Sequence, residues 1–188
     1  MRDVYVLDPT AHIDATDPYI RSYRAIESHF RSVKHFDVDT FTVAAHAIYG
    51  WMPTILELHA ASIKDLEAGA KLLNQARSGT LVDNDLRTLT DLVNNSLVGV
   101  SKLLHFAAPS HFAIWDSRVY QFVFERAPYH YRMNSVPDYR HYHEILNQIA
   151  EDRRFPSFHE RVNRKVGYAV SAPRAIEVVM YSYSRQVK

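Results

Sequence analysis

The side chains best suited to chemistry cluster between residues 97 and 119, in the run Leu-Val-Gly-Val-Ser-Lys-Leu-Leu-His-Phe-Ala-Ala-Pro-Ser-His-Phe-Ala-Ile-Trp-Asp-Ser-Arg-Val. Lys102 offers an amine that becomes nucleophilic when burial or neighbouring cations keep it neutral. Asp116 stands where the next helix begins, and a helix N-cap alone accounts for an aspartate there. His105 and His111 can hydrogen-bond the edge of a heteroaromatic ring, or can sit satisfied in a core. Arg118, one turn further on, can pair with Asp116 or meet phosphate. A second place is Tyr49-Gly50-Trp51-Met52-Pro53, where glycine and proline break a helix and aromatic rings can be turned towards a cleft.

Other chemistries are excluded or unsupported. The chain has no cysteine, so it can form no disulfide, thiolate metal site or thiol nucleophile. None of its five glycines forms GxGxxG or GxxxxGK, which removes the common nucleotide phosphate loops, and no cofactor is expected. His141 and His143 lie about 200° apart around a helix, too far to share one metal ion, and no HExxH or GxSxG motif is present; no metal is expected. Arg174 and Glu177 look like an ordinary pair three residues apart that knits the last helix.

The elements that must position these groups are helical. Asp17-Pro18 caps a helix carrying Ile20, Tyr23, Ile26, Phe30 and Val33 to about His35, and a second starts near Asp39 and ends at the aromatic corner. Ser62, with Asp65 three residues on, opens a third that stops at Gly79, and Asp83 opens a fourth that fades at Asn94-Asn95-Ser96. A fifth covers residues 100–108, Asp116 caps a sixth, and residues 138–152, 157–168 and 172–184 fit three more, the last capped by Ser171. Residues 1–16 show no helical period and read as an extended arm. The whole predicts one all-α domain over residues 1–188.

Composition agrees with a packed domain: 188 residues, 47% hydrophobic and 23% charged. The opening MRDVYVLDPT carries acids where a secretory signal needs a basic start, and no apolar run is long enough for a membrane span, so a cytoplasmic location is expected. The net charge of +1 is unevenly spread: residues 1–94 hold 9 basic and 13 acidic side chains, residues 95–188 hold 13 and 8. The basic half suits a polyanion, and the 23 aromatic residues supply faces that stack on bases or fill a core.

The 97–119 run resembles the signature of the helix-hairpin-helix DNA glycosylase superfamily. There a Leu-Pro-Gly-Val-Gly hairpin opens an apolar helix, and after a short connection a catalytic aspartate opens the next in an Asp-x-x-Val context. Leu97-Val98-Gly99-Val100-Ser101 stands at the hairpin and Asp116-Ser117-Arg118-Val119 at the aspartate. This hairpin has one glycine where the family commonly has two, and the interval to Asp116 is shorter by about one helical turn. The resemblance implies DNA as partner, base flipping, and a catalytic Asp116 that steadies oxocarbenium charge and activates water. It implies a lysine nucleophile in lyase-type members, a place that Lys102 meets only approximately. It makes Tyr49, Trp51, Trp115 and His105 candidate walls of a base pocket. Asn95, Ser96, Gly99, Ser101, Arg118, Arg164 and Lys165 become candidate contacts to the DNA backbone. The substrate class it implies is a damaged or modified base; in compact prokaryotic members that act in antiviral defence, a modified cytosine of phage DNA is one candidate. The alternative is a helical module that binds nucleic acid or a partner protein without catalysis, which the degenerate hairpin favours.

Overall fold

The computed structural model describes residues 2–7 and 9–186, and it is all-helical. A 3₁₀ turn (Val4–Val6) and a single helical turn α1 (Pro9–His12) fall within the expected extended arm, so that stretch is coiled where it is described. Capping chemistry sets most later starts. Asp17 accepts the amide of Tyr19 ahead of α2 (Pro18–Ser32), and Asp37 and Thr40 bond reciprocally at the start of α3 (Val38–Trp51). Asp65 reaches back to the Ser62 amide in α4 (Ile63–Ala76), and Asp85 does the same for Val82 in α5 (Asp83–Leu92).

Ser96 caps α6 (Leu97–Ala107), so residues 97–101, expected to form a hairpin, are instead the first turns of a helix. The turn itself is Asn94–Ser96, where Asn94 and Asn95 take left-handed φ values of 54° and 48°. Asp116 caps α7 (Ser117–Phe124), a four-residue α8 (His130–Met133) follows, and Ser135 caps α9 (Val136–Glu151). α10 (Phe155–Val166) ends at Gly167 with φ 88°, and Ser171 bonds the Arg174 amide at the head of α11 (Ala172–Gln186). The described residues contain one isolated β-bridge, Leu58 to Val93, and no helix long and apolar enough to cross a membrane.

α6 is the axis of the core. From Leu97 to Phe106 every residue except Val98 is buried, as expected of a helix enclosed on all sides, and α2, α3, α4 and α5 pack around it. On the other side α11 packs on α7, α9 and α10. The segment between α6 and α7 joins the two groups. The Ser101 hydroxyl accepts the Trp115 amide at 3.0 Å and donates to Val98 O at 2.8 Å, while Lys102 Nζ donates to Trp115 O at 3.4 Å. The Trp115 indole is fully buried among Tyr120, Phe124, Tyr139 and Tyr142 and donates to Met133 O. This strap holds the next residue, Asp116, at the boundary between the groups.

Two tight fits carry predictions. Gly99 lies so close to Tyr49 Oη that a β-carbon has no room there, so Gly99→Ala should cost about 1–3 kcal/mol by overpacking. Tyr49→Phe removes only the closest atom and leaves a ring carbon 2.7 Å from the new β-carbon, so adding it should return part of that loss in thermal melts and Tyr49→Leu more of it, a coupling that two independent sites would not show. His105, between Tyr23 Oη and Phe112 O, and His143, which accepts the Ala113 amide, are kept neutral by burial, to about 3 and about 4 against an ordinary 6.5. Below pH 6.5 the unfolded chain therefore takes up protons that the folded chain refuses. Stability should fall by about 1.4 kcal/mol per pH unit for each histidine between about 6.5 and 4, and His143→Gln should flatten the slope in pH-dependent denaturant melts.

Candidate functional site

A cavity of about 760 Å³ opens where the two helical groups meet, within the range of small-molecule sites. The end of α3 supplies Tyr49 and Trp51, and the head of α2 supplies Asp17, Tyr19 and Ile20. The turn before α6 supplies Asn94 and Ser96, and α11 supplies Arg174, Glu177, Tyr181 and Arg185. Lys102 and Asp116 complete the floor. Each comes from a different helix boundary or face, so only the assembled fold creates the site.

The floor holds two cations and two carboxylates. Asp116 is half-buried, and its Oδ1 accepts the amides of Arg118 at 2.9 Å and Val119 at 3.0 Å. Its second oxygen makes no hydrogen bond with the described residues, which leaves it able to meet a ligand. Lys102 is buried beside it. Desolvation pulls the amine below its ordinary range, opposed by the charges of Asp116 and Glu177. Glu177 is 1% exposed and forms a buried ion pair with Arg174, one turn earlier on α11. Burial pushes its carboxyl up to about 7 in spite of Arg174, and the Asp116 charge adds to the rise.

The Arg174 guanidinium also lies 4.6 Å from the centre of the Tyr23 ring. Tyr142 Oη, buried and without a hydrogen bond, has its ionisation raised first by burial and then by Glu177 and Asp116. Tyr49 Oη makes no hydrogen bond of good geometry; the Ser96 hydroxyl is the polar group beside it, and burial pushes the phenol up to about 12.

Of the residues expected to matter, the structure brings Asp116, Lys102, Tyr49, Trp51 and Ser96 to one cavity. Trp51 faces it while its Nε1 donates to Ser22 Oγ at 3.1 Å. Trp115 and His105 are not walls: both are 0% exposed, the first in the strap and the second bonded to Tyr23 and Phe112. Gly99 and Ser101 are buried inside α6 and cannot reach a DNA backbone. Two amides of the first turn of α6 are also taken, that of Leu97 by Asn134 Oδ1 and that of Gly99 by Ser96 Oγ, which leaves less for phosphate than a free helix start offers.

Asn95 is exposed on the rim, where its carbonyl accepts Asn134 Nδ2. Arg118 lies over the ring of Tyr181, a cavity residue, with 5.2 Å to the centroid. Arg164 is exposed near Glu160 on α10, and Lys165 lies close enough to favour the ionised form of Asp14 at the outer edge of the cavity. Arg174 and Glu177, expected as an ordinary pair that knits the last helix, are buried in the floor with Lys102; their spacing of three is visible in the sequence, their burial is not. Among the described residues no group of three or more His, Asp or Glu is arranged to hold a metal ion. Comparisons of the chain with protein-family models, with curated proteins and with solved structures find no match.

Proposed function

We propose that this cavity receives a nucleobase drawn out of DNA and that the protein is an N-glycosylase that hydrolyses the bond between a modified base and its deoxyribose. The observation that carries this reading is the carboxylate of Asp116, fixed at the N-terminus of α7 with one oxygen free, beside the buried amine of Lys102 on the floor of an aromatic-walled cavity. Departure of the base places positive charge on C1′ and the ring oxygen, and a carboxylate held on the far face stabilises that charge. Water then adds to C1′. The bonding pair of the broken C1′–N bond leaves on the base nitrogen, Asp116 takes the water proton and returns it through solvent to that nitrogen, and the products are a neutral free base, an abasic site and the regenerated carboxylate. Tyr49 and Trp51 offer faces to the extruded base. Arg174 and Glu177 balance the charge beneath, so that neither Asp116 nor Lys102 stands as a lone ion in a desolvated place.

The modified-base class, and a cytosine derivative of phage DNA within it, belong to this proposal through the sequence resemblance alone. The burial of Lys102 favours a second reading, in which its neutral amine attacks C1′ and forms a Schiff base that leads to strand cleavage. Its Nζ is bonded to the Trp115 carbonyl and sits beneath the more accessible Asp116, which makes hydrolysis the preferred route.

Asp116→Asn keeps the cap to the amides of Arg118 and Val119 but removes the charge. Base release should fall by at least about 10²-fold while the melting temperature and duplex affinity stay close to wild type. Full activity in this variant would remove Asp116 from the chemistry. Borohydride added during turnover should trap no covalent complex, and Lys102→Ala should slow release without changing the product. An adduct that forms in the wild type and vanishes in Lys102→Ala would establish the amine route instead.

A further inference from the structure

The segment between α7 and α9 carries a surface that the chemistry at the floor does not use. Among the described residues, Tyr129 and Tyr131 are the exposed aromatic rings, 58% and 67% accessible, in a chain whose other aromatics are buried or half-buried. They stand close to parallel, with centroids 6.1 Å apart and planes at 18°. The guanidinium of Arg132 lies 5.1 Å from one ring centre and 5.4 Å from the other, anchored by a 3.0 Å bond from its Nη1 to Ala127 O. Two adjacent rings left in water forgo the gain of burial. The guanidinium fixed over both turns them into one rigid, cationic, π-faced patch.

Its place in the fold says what the patch meets. His130, between the two tyrosines, lines the cavity that holds Asp116 and Lys102. Asn134, just after α8, bonds Asn95 O and the Leu97 amide and so ties α8 to the turn before α6, of which Asn94 and Ser96 also line the cavity. The run Arg126-Ala-Pro-Tyr-His-Tyr-Arg132 contains two arginines and no acid. A strand of nucleic acid satisfies both the planar faces and the positive charge of a patch whose central residue, His130, lines that cavity. Bases stack on the rings in a sequence-tolerant way, and phosphates meet the guanidinium groups.

We propose that Tyr129, Tyr131 and Arg132 form a stacking platform that holds the nucleotides flanking the one inserted in the cavity, an inference that rests on the nucleic-acid reading of that cavity. The platform grips unstacked bases, so it selects DNA that is single-stranded or locally opened. It also compensates the opened strand for the stacking it loses.

The test uses the full chain and a fluorescein-labelled single strand of about 15 nucleotides, followed by anisotropy between about 50 and 200 mM salt. Tyr129→Ser with Tyr131→Ser should weaken binding about tenfold or more, since stacking on each ring contributes on that scale. Tyr131→Phe should bind within about twofold of wild type, because stacking needs the ring and not the hydroxyl. Arg132→Gln should lower the salt slope by about one. All three positions are surface-exposed or half-buried, and equal melting temperatures will show that the variants fold.

Wild-type affinity in the double serine variant would overturn the platform, as would failure of the wild-type chain to bind the strand. Base release, measured separately, reports on the floor. Release that persists with unchanged strand affinity in the double variant rejects the platform and keeps the glycosylase. Loss of strand affinity in a chain that releases no base supports the platform and rejects the glycosylase. A surface built for a protein partner predicts no effect of the tyrosine substitutions on the strand and counts against the inference.

Discussion

Three ionisable side chains, Lys102, Arg174 and Glu177, lie inside the protein beneath the half-buried carboxylate of Asp116. Taking each charge out of water costs several kcal/mol, of order, and removing one partner would leave another uncompensated. The surrounding helices are therefore obliged to hold all four groups together. α11 supplies Arg174 and Glu177 one turn apart, α6 supplies Lys102, and the start of α7 supplies Asp116. Tyr23 of α2 receives the guanidinium on its face. Apolar residues of similar size would pack such a place at less cost. Charges retained at the floor of a cavity, with ionisations shifted by burial and by one another, are the feature on which the proposed chemistry rests.

The strap between α6 and α7 makes that arrangement rigid. Ser101 and Lys102 bind the backbone of Trp115 from one side, and the indole is locked from the other by Tyr142 and by the Met133 carbonyl. Asp116 takes its position from a neighbour that is fully buried and hydrogen-bonded through its amide, its carbonyl and its indole. The rim has another character: Asn94 and Asn95 in left-handed turns and α8 joined to them by Asn134 present polar atoms and aromatic faces to water. A fixed floor under an accessible rim suits a reaction in which the substrate must be bent into place and the reacting groups must not be.

The sequence made the helices legible wherever the signal was local. Asp17-Pro18, Asp65 behind Ser62, Asp116 and Ser171 mark starts through side-chain bonds to amides two or three residues away, and the structure has those bonds. The start of α3 is capped by Asp37 and Thr40 rather than near Asp39, since two carboxylates stand close together and only their backbone geometry decides between them. Gly99 suggested a hairpin, but a glycine is equally needed where two helices touch, and contact with Tyr49 is a matter of tertiary packing. The same limit applies to Trp115 and His105, whose types suited a pocket and whose burial depends on helices far along the chain. Arg174 and Glu177 were readable as a pair and unreadable as a floor, because spacing of three says which side chains meet and nothing of what covers them.

The account stands on the cavity being a place where a base leaves its sugar. The most direct measurement incubates the wild-type chain with duplexes that each carry one defined modified base, cytosine derivatives among them, and follows free base by mass spectrometry. The account predicts a released base and a stoichiometric abasic site from at least one duplex. A full panel that yields neither, with a folded chain that binds the same duplexes, would contradict it.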